Sequence, residues 1–264
     1  MKKWMILAAL CLSTTAFASD GGGHAAADSG SHGGGHGGGH GAVHWGYTGD
    51  IGPAHWGDLA PEFSACKEGQ SQTPINLTGL VDIDLPPINF SYGEVGVAVL
   101  NNGHTIQANY ETGSSIEVEG STYKLIQFHF HNPSENVING QSFPIEAHLV
   151  HKSDDGKLAV VTVMFEEGAA NPVIDTVWRY MPAQANADKT SNETLNVMAM
   201  LPESKDYYSF TGSLTTPPCT EGVKWMILKT PMTVSAEQIL KFQRVLGMAN
   251  NRPLQPLNGR VIYE

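Results

Sequence analysis

Tyr123-Lys-Leu-Ile-Gln-Phe-His-Phe-His131 and Ile145-Glu-Ala-His-Leu-Val-His151 set the reading of the whole chain. Each is a short run of apolar and aromatic residues bounded by turn residues, which is the pattern of a β-strand. Similar runs flank them at 95–100, 105–110, 115–118, 158–165 and 224–228, punctuated by glycine and asparagine as at Asn101-Asn102-Gly103. So many short strands predict a mainly antiparallel sheet. Helical signals are fewer: 171–180 is one. The segment 235–246 is another, with Ser235 as its N-cap and Gln238 in the capping-box position. The fold class expected is mainly β (α+β).

Side chains alternate faces along a strand, so Gln127, His129 and His131 share one face while Phe128 and Phe130 point to the other. Likewise Glu146, His148 and Val150 share a face, with His151 opposite. Two imidazoles two residues apart can meet one metal, and a third on a neighbouring strand completes a set of three. Three neutral imidazoles with an open fourth position make a catalytic zinc site, whereas a structural site is closed, usually by thiolates. A hydrogen-bonded cluster of core histidines has the same spacing. Gln127 and Glu146 favour the metal reading, because ligating rings need an acceptor on their second nitrogen; Gln127 can support His129, and Glu146 can hold His148.

Outward from these strands, residues 44–264 have the composition of one folded domain of about 220 residues, with no second linker and no repeat. Residues 1–18 read as a signal peptide: Lys2 and Lys3, an apolar run to Leu12, and the small-residue site Ala16-Phe17-Ala18. The run is too short to span a bilayer, so the chain is expected in the periplasm or secreted, with no membrane insertion after cleavage. Residues 19–43 form a Gly/His-rich leader in which His24, His32, His36 and His40 sit among glycines. It has no apolar surface to bury, and transient metal binding and a plain leader fit it equally. Cleavage after Ala18 leaves Cys66 and Cys219. An oxidising compartment makes them one disulfide, against the alternative of two unrelated buried thiols. A loop of roughly 150 residues closed in this way is worth roughly 4–5 kcal/mol in chain entropy. The formal charge of −11 disfavours nucleic acid and anionic lipid as partners. A small neutral substrate fits better.

Gln127-Phe-His-Phe-His131, Glu146-Ala-His-Leu-Val-His151 and Gly212-Ser-Leu-Thr-Thr-Pro-Pro218 resemble the signature segments of the α-class carbonic anhydrases. His44-Trp45-Gly46-Tyr47, Gln72-Thr-Pro-Ile-Asn76 and Asn101-Asn-Gly-His104 match as well, in the family's order. The resemblance spans nearly all of the chain from His44 onward. It implies a single domain around a large twisted, mostly antiparallel central β-sheet with short peripheral helices. It also implies reversible, zinc-dependent hydration of carbon dioxide to bicarbonate and a proton, with one Zn2+ per chain.

Carried over residue by residue, the resemblance makes His129, His131 and His148 the zinc ligands. Thr215 would accept a hydrogen bond from an attacking hydroxide and donate its own to an ionised Glu135, and so orient the hydroxide. Val150, Val160, Leu214, Thr216, Val223 and Trp225 would line the substrate pocket, and Tyr47, Asn102 and Gln107 the rest of the cavity. His104 would be the proton shuttle, since imidazole titrates in the right range. Cys66 and Cys219 fall where exported members place their disulfide. A homodimer stays open. Two departures stand out: Phe210 replaces a tyrosine frequent near the relay, and Asn132-Pro133 replaces a tryptophan-containing turn. Two other classes fit the resemblance or the leader: a relative without activity used as a binding module, and a metal carrier.

Overall fold

The computed structural model describes residues 43–110 and 113–264. The expected signal peptide and all of the Gly/His-rich leader except Val43 lie outside the described residues.

Among the described residues thirteen strands succeed one another: β1 (Asn76–Leu77), β2 (Asn89–Ser91), β3 (Val95–Asn101), β4 (Ile106–Asn109), β5 (Ser115–Val118), β6 (Ser121–His131), β7 (Val137–Ile138), β8 (Ile145–Lys152), β9 (Leu158–Glu167), β10 (Ala187–Leu195), β11 (Tyr207–Ser213), β12 (Glu221–Leu228) and β13 (Met232–Val234). Four α-helices accompany them: α1 (Trp56–Leu59), α2 (Ala65–Glu68), α3 (Pro172–Tyr180) and α4 (Ala236–Leu246). Eleven strands make one sheet, ordered β10-β3-β4-β6-β8-β9-β12-β11, with β5 joining β6 to β2 and β13 beside β9. Its pairings are antiparallel except that β9 runs parallel to β12 and to β13. β1 and β7 form a separate parallel pair.

The sheet has one apolar face and one face that carries chemistry, and the alternation in β6 and β8 creates both. Phe128, Phe130, Ala147 and Leu149 point to a core closed by Ile174, Val177, Trp178 and Phe242 of α3 and α4. Phe130 meets Trp178 edge-on at 4.8 Å, and Trp178 stacks on Phe242 at 5.2 Å. Each such buried aromatic contributes about 1.5–3 kcal/mol by leaving water. The helices start where their caps dictate. Asn171 accepts from the backbone N–H of Val173 and Ile174, and Ser235 and Gln238 complete the expected capping box. Gly247 ends α4 in the left-handed region at φ 70°, which glycine reaches without a Cβ clash.

The sequence reading misses β10 and β11, which end the sheet's main path. β10, Ala-Asp-Lys-Thr-Ser-Asn-Glu-Thr-Leu, is almost wholly polar. An edge strand pairs on one side only, so it needs no apolar signature and is safer without one.

Candidate metal centre

β6 and β8 pair so that His129 stands directly opposite His148 and His131 opposite Glu146. The three rings thus come together by register alone, with centroids 5.0, 5.2 and 4.5 Å apart. One ring nitrogen from each lies within 4.8 Å of the other two. The remaining ring nitrogens all meet oxygen acceptors. His129 Nδ1 donates to Gln127 Oε1 at 2.9 Å, His131 Nδ1 to the Asn250 carbonyl at 2.7 Å, and His148 Nε2 to Glu146 Oε1 at 2.8 Å. Each acceptor fixes one tautomer and leaves the other nitrogen's lone pair facing the shared point. His131 Nε2 is buried there without a hydrogen-bond partner. Burial lowers the pKa of all three rings, those of His129 and His148 strongly, so all are neutral. Three neutral imidazoles with convergent ring nitrogens, that of His131 buried and unpartnered, fit a divalent metal that prefers nitrogen.

The supporting carboxylates are buried too. Glu146 accepts the backbone N–H of Glu135 and Asn136 and the side-chain amide of Asn136 at 2.6–2.8 Å. Burial raises its pKa, and these donors oppose the rise. Glu135 Oε1 accepts the Arg252 backbone N–H at 2.9 Å. Its Oε2 faces His131 Nε2 at 3.4 Å and His148 Nδ1 at 4.0 Å and completes no hydrogen bond. Burial and then the charge of Glu146 push the Glu135 pKa well up, while the nearby Thr215 hydroxyl, which completes no hydrogen bond to Glu135 in this arrangement, and Arg252 pull it down.

Val150, Val160, Val223 and Trp225 form one apolar cluster with Phe210, and Leu214 packs against it from a half-buried position. Trp225 meets His148 edge-on at 4.9 Å, so this wall adjoins the imidazoles. Phe210 stacks on Trp225, its plane 6° from parallel. Thr216 turns its carbonyl to the Cys219 N–H. Tyr47 packs edge-on against Trp45 and Trp56, and burial and the Glu135 charge raise its pKa well above the usual phenol value. Asn102 caps the turn before β4, accepting the N–H of His104 and Thr105. Gln107 pairs in register with His129, but its amide donates to Asn109 at 2.6 Å. His104 stacks on Trp45, away from the three-histidine group's hydrogen bonds. Cys66 and Cys219 are joined in a disulfide, which excludes the two-thiol alternative. In the turn with the second departure from the family pattern, Asn132 donates its N–H to Asn250 Oδ1 at 2.8 Å.

Asn136, Asn250 and Arg252 escape the sequence reading although they hold Glu146, His131 and Glu135. Asn250 and Arg252 come from the irregular chain after α4, where no periodicity singles out a residue, and Asn250 serves His131 through a backbone carbonyl that any residue offers.

Fold and site together define a sheet protein with a three-imidazole group able to hold a metal. Residues 51–264 match the family of eukaryotic-type carbonic anhydrases. The chain is 48% identical over 204 residues to a carbonic anhydrase of Pectobacterium carotovorum, covering 77% of this chain and 84% of that one. It is 47% identical over 208 residues to one of Neisseria gonorrhoeae, with 78% and 82% covered. Among solved structures, the α-carbonic anhydrase of Thermovibrio ammonificans bound to the inhibitor sulfanilamide is similar at TM-score 0.83 and 44% identity, covering 85% of this chain and 100% of that chain. The chain therefore belongs to the α-carbonic anhydrase family, whose enzymes interconvert carbon dioxide and bicarbonate.

Proposed function

We propose that the chain is an exported zinc enzyme that hydrates carbon dioxide, with His129, His131 and His148 as the metal's ligands. The observation that carries this reading is the convergence of three neutral ring nitrogens whose partner nitrogens all donate to oxygen. Zinc, when bound, supplies the Lewis acidity that brings the ionisation of water near pH 7, a value for which carbonic anhydrase is itself the standard case.

The chain's own residues supply the rest. With the metal bound, Thr215 would accept a hydrogen bond from the nucleophile and donate its own to Glu135, which would aim the nucleophile's lone pair. That donation needs Glu135 ionised, and the ionised form is favoured once the adjacent rings hold a dication. The wall of Val150, Val160, Val223, Trp225 and Leu214 accepts a neutral gas and gives charged bicarbonate no partner, which speeds release. His104 passes the product proton to bulk water. Stacked on Trp45, its pKa is lowered to about 4, first by burial and then by His44, and greater exposure to water would move it back toward the range in which imidazole exchanges protons at neutral pH. The disulfide fits an oxidising compartment, and no described helix is long and apolar enough to cross a membrane.

Stopped-flow carbon dioxide hydration, with metal content measured before and after chelation, tests the proposal. The expected result is one zinc per chain and activity lost and regained with it.

A further inference from the structure

We infer that Gln72 and Arg252 are positioning residues that set the Thr215 loop against Glu135. The inference rests on the Thr215–Glu135 relay proposed above. Thr215 and Glu135 lie far apart in sequence, and something must fix the distance between them. The segment Gln72–Thr73 grips both ends of the Thr215 loop. At its start, Thr73 N–H donates to Ser213 Oγ at 3.0 Å and Ser213 N–H to Thr73 Oγ1 at 2.9 Å. The approach is close enough to require Gly212, where a Cβ would lie 2.1 Å from Thr73 Oγ1. At the loop's end, Gln72 Nε2 donates to the Cys219 carbonyl at 3.1 Å. Cys219 is held at φ 56°, a left-handed conformation that disfavours a non-glycine residue. The turn therefore needs its polar partners to keep its shape.

From Gln72 the path continues to Glu135. Gln72 Oε1 accepts from Arg252 Nη1 at 2.9 Å, and the same Nη1 donates to the Thr73 carbonyl at 2.8 Å. Arg252 Nη2 donates to the Cys66 carbonyl at 2.8 Å, and the Arg252 backbone N–H holds Glu135 Oε1. Gln72 is 3% exposed and Arg252 2%. Directional bonds between buried groups transmit displacement, because water cannot replace a stretched partner. A shift at Cys219 thus reaches Glu135 through two side chains.

The test is a double-mutant cycle between Gln72→Met and Thr215→Ala in the zinc-loaded enzyme. Methionine keeps the volume, removes the amide, and leaves Arg252 its two carbonyl acceptors. Gln72→Met should lower kcat/KM about tenfold alone and less than about twofold beside Thr215→Ala, the non-additivity of residues acting through one interaction. In metal-free protein, hydrogen exchange should quicken at the Leu214 and Cys219 amides and stay unchanged in β8. Equal factors in both backgrounds, no loss in Gln72→Met, or exchange quickened uniformly would overturn the inference. An unslowed Thr215→Ala overturns the relay and the brace together; a slowed Thr215→Ala with a silent Gln72→Met overturns the brace alone. Should Gln72→Met not fold, Arg252→Lys, which keeps the charge and loses the fork, makes the same comparison.

Discussion

His104 lies flat on Trp45, ring centroids 3.8 Å apart and planes 9° from parallel. Its Nδ1 is buried without a hydrogen-bond partner, and its pKa is lowered to about 4. Replacing Trp45 with Leu should release the ring and move that pKa toward the ordinary value near 6.5. An NMR titration of the His104 ring reads this directly; a pKa that stays near 4 contradicts the assignment of its cause.

His104→Ala should lower the maximal hydration rate in dilute buffer and leave isotope exchange at equilibrium nearly intact. Small imidazole buffers should restore much of the loss by doing the same proton transfer. Impaired exchange with no rescue at any buffer concentration would assign His104 a structural role instead.

His131→Ala or His148→Ala should strip the metal and abolish hydration, because two imidazoles hold zinc far less well than three. Each change also leaves a buried acceptor, the Asn250 carbonyl or Glu146, without its ring N–H. Full zinc content with full activity in either variant removes these rings from the metal's ligand set.

Thr215→Ala should keep zinc and slow hydration by about 10²-fold, the scale of a positioning defect. Glu135→Gln should act similarly, since an amide no longer fixes the direction of the threonine's donation. Unchanged rates in both variants eliminate the relay.

Acidification should destabilise the metal-free protein through its buried neutral histidines. His151, bonded to the Tyr92 hydroxyl at 2.7 Å, has its pKa lowered to about 3 by burial. The unfolded chain takes up this proton near pH 6.5, so the contribution is complete above that pH and is lost as pH falls toward 3. Glu135 and Glu146, with raised pKa values, act in the opposite sense. The slope is therefore read as the difference between wild type and His151→Phe in melting temperature from pH 7 to pH 4. Parallel curves would show that His151 stays unprotonated in both states or charged in both.

Cys66→Ser should lower stability by about 2–5 kcal/mol and leave zinc content unchanged, as judged by chemical denaturation and metal analysis. A variant as stable as the parent would mean that the disulfide adds nothing to the loops it joins.

The strands that carry the three histidines, the helix at 171–180, the helix at 235–246 with its cap, and the residues that share a face are all legible in the sequence, because alternation and capping are local and leave periodic marks. The sequence also carried the family likeness, which brought in Thr215, Glu135 and the apolar wall. That His129 stands opposite His148 is visible only in the folded chain, since register is a property of two strands and not of either. The tertiary structure alone showed that the Asn250 carbonyl, the Arg252 backbone N–H and the Gln72 amide hold the site. These contacts join residues from opposite ends of the chain through backbone atoms or single amides, groups that every sequence contains and no spacing marks. The polar edge strand β10 went unread for a related reason: it is held by pairing with β3 on one side, and exposure on the other left no apolar pattern to find.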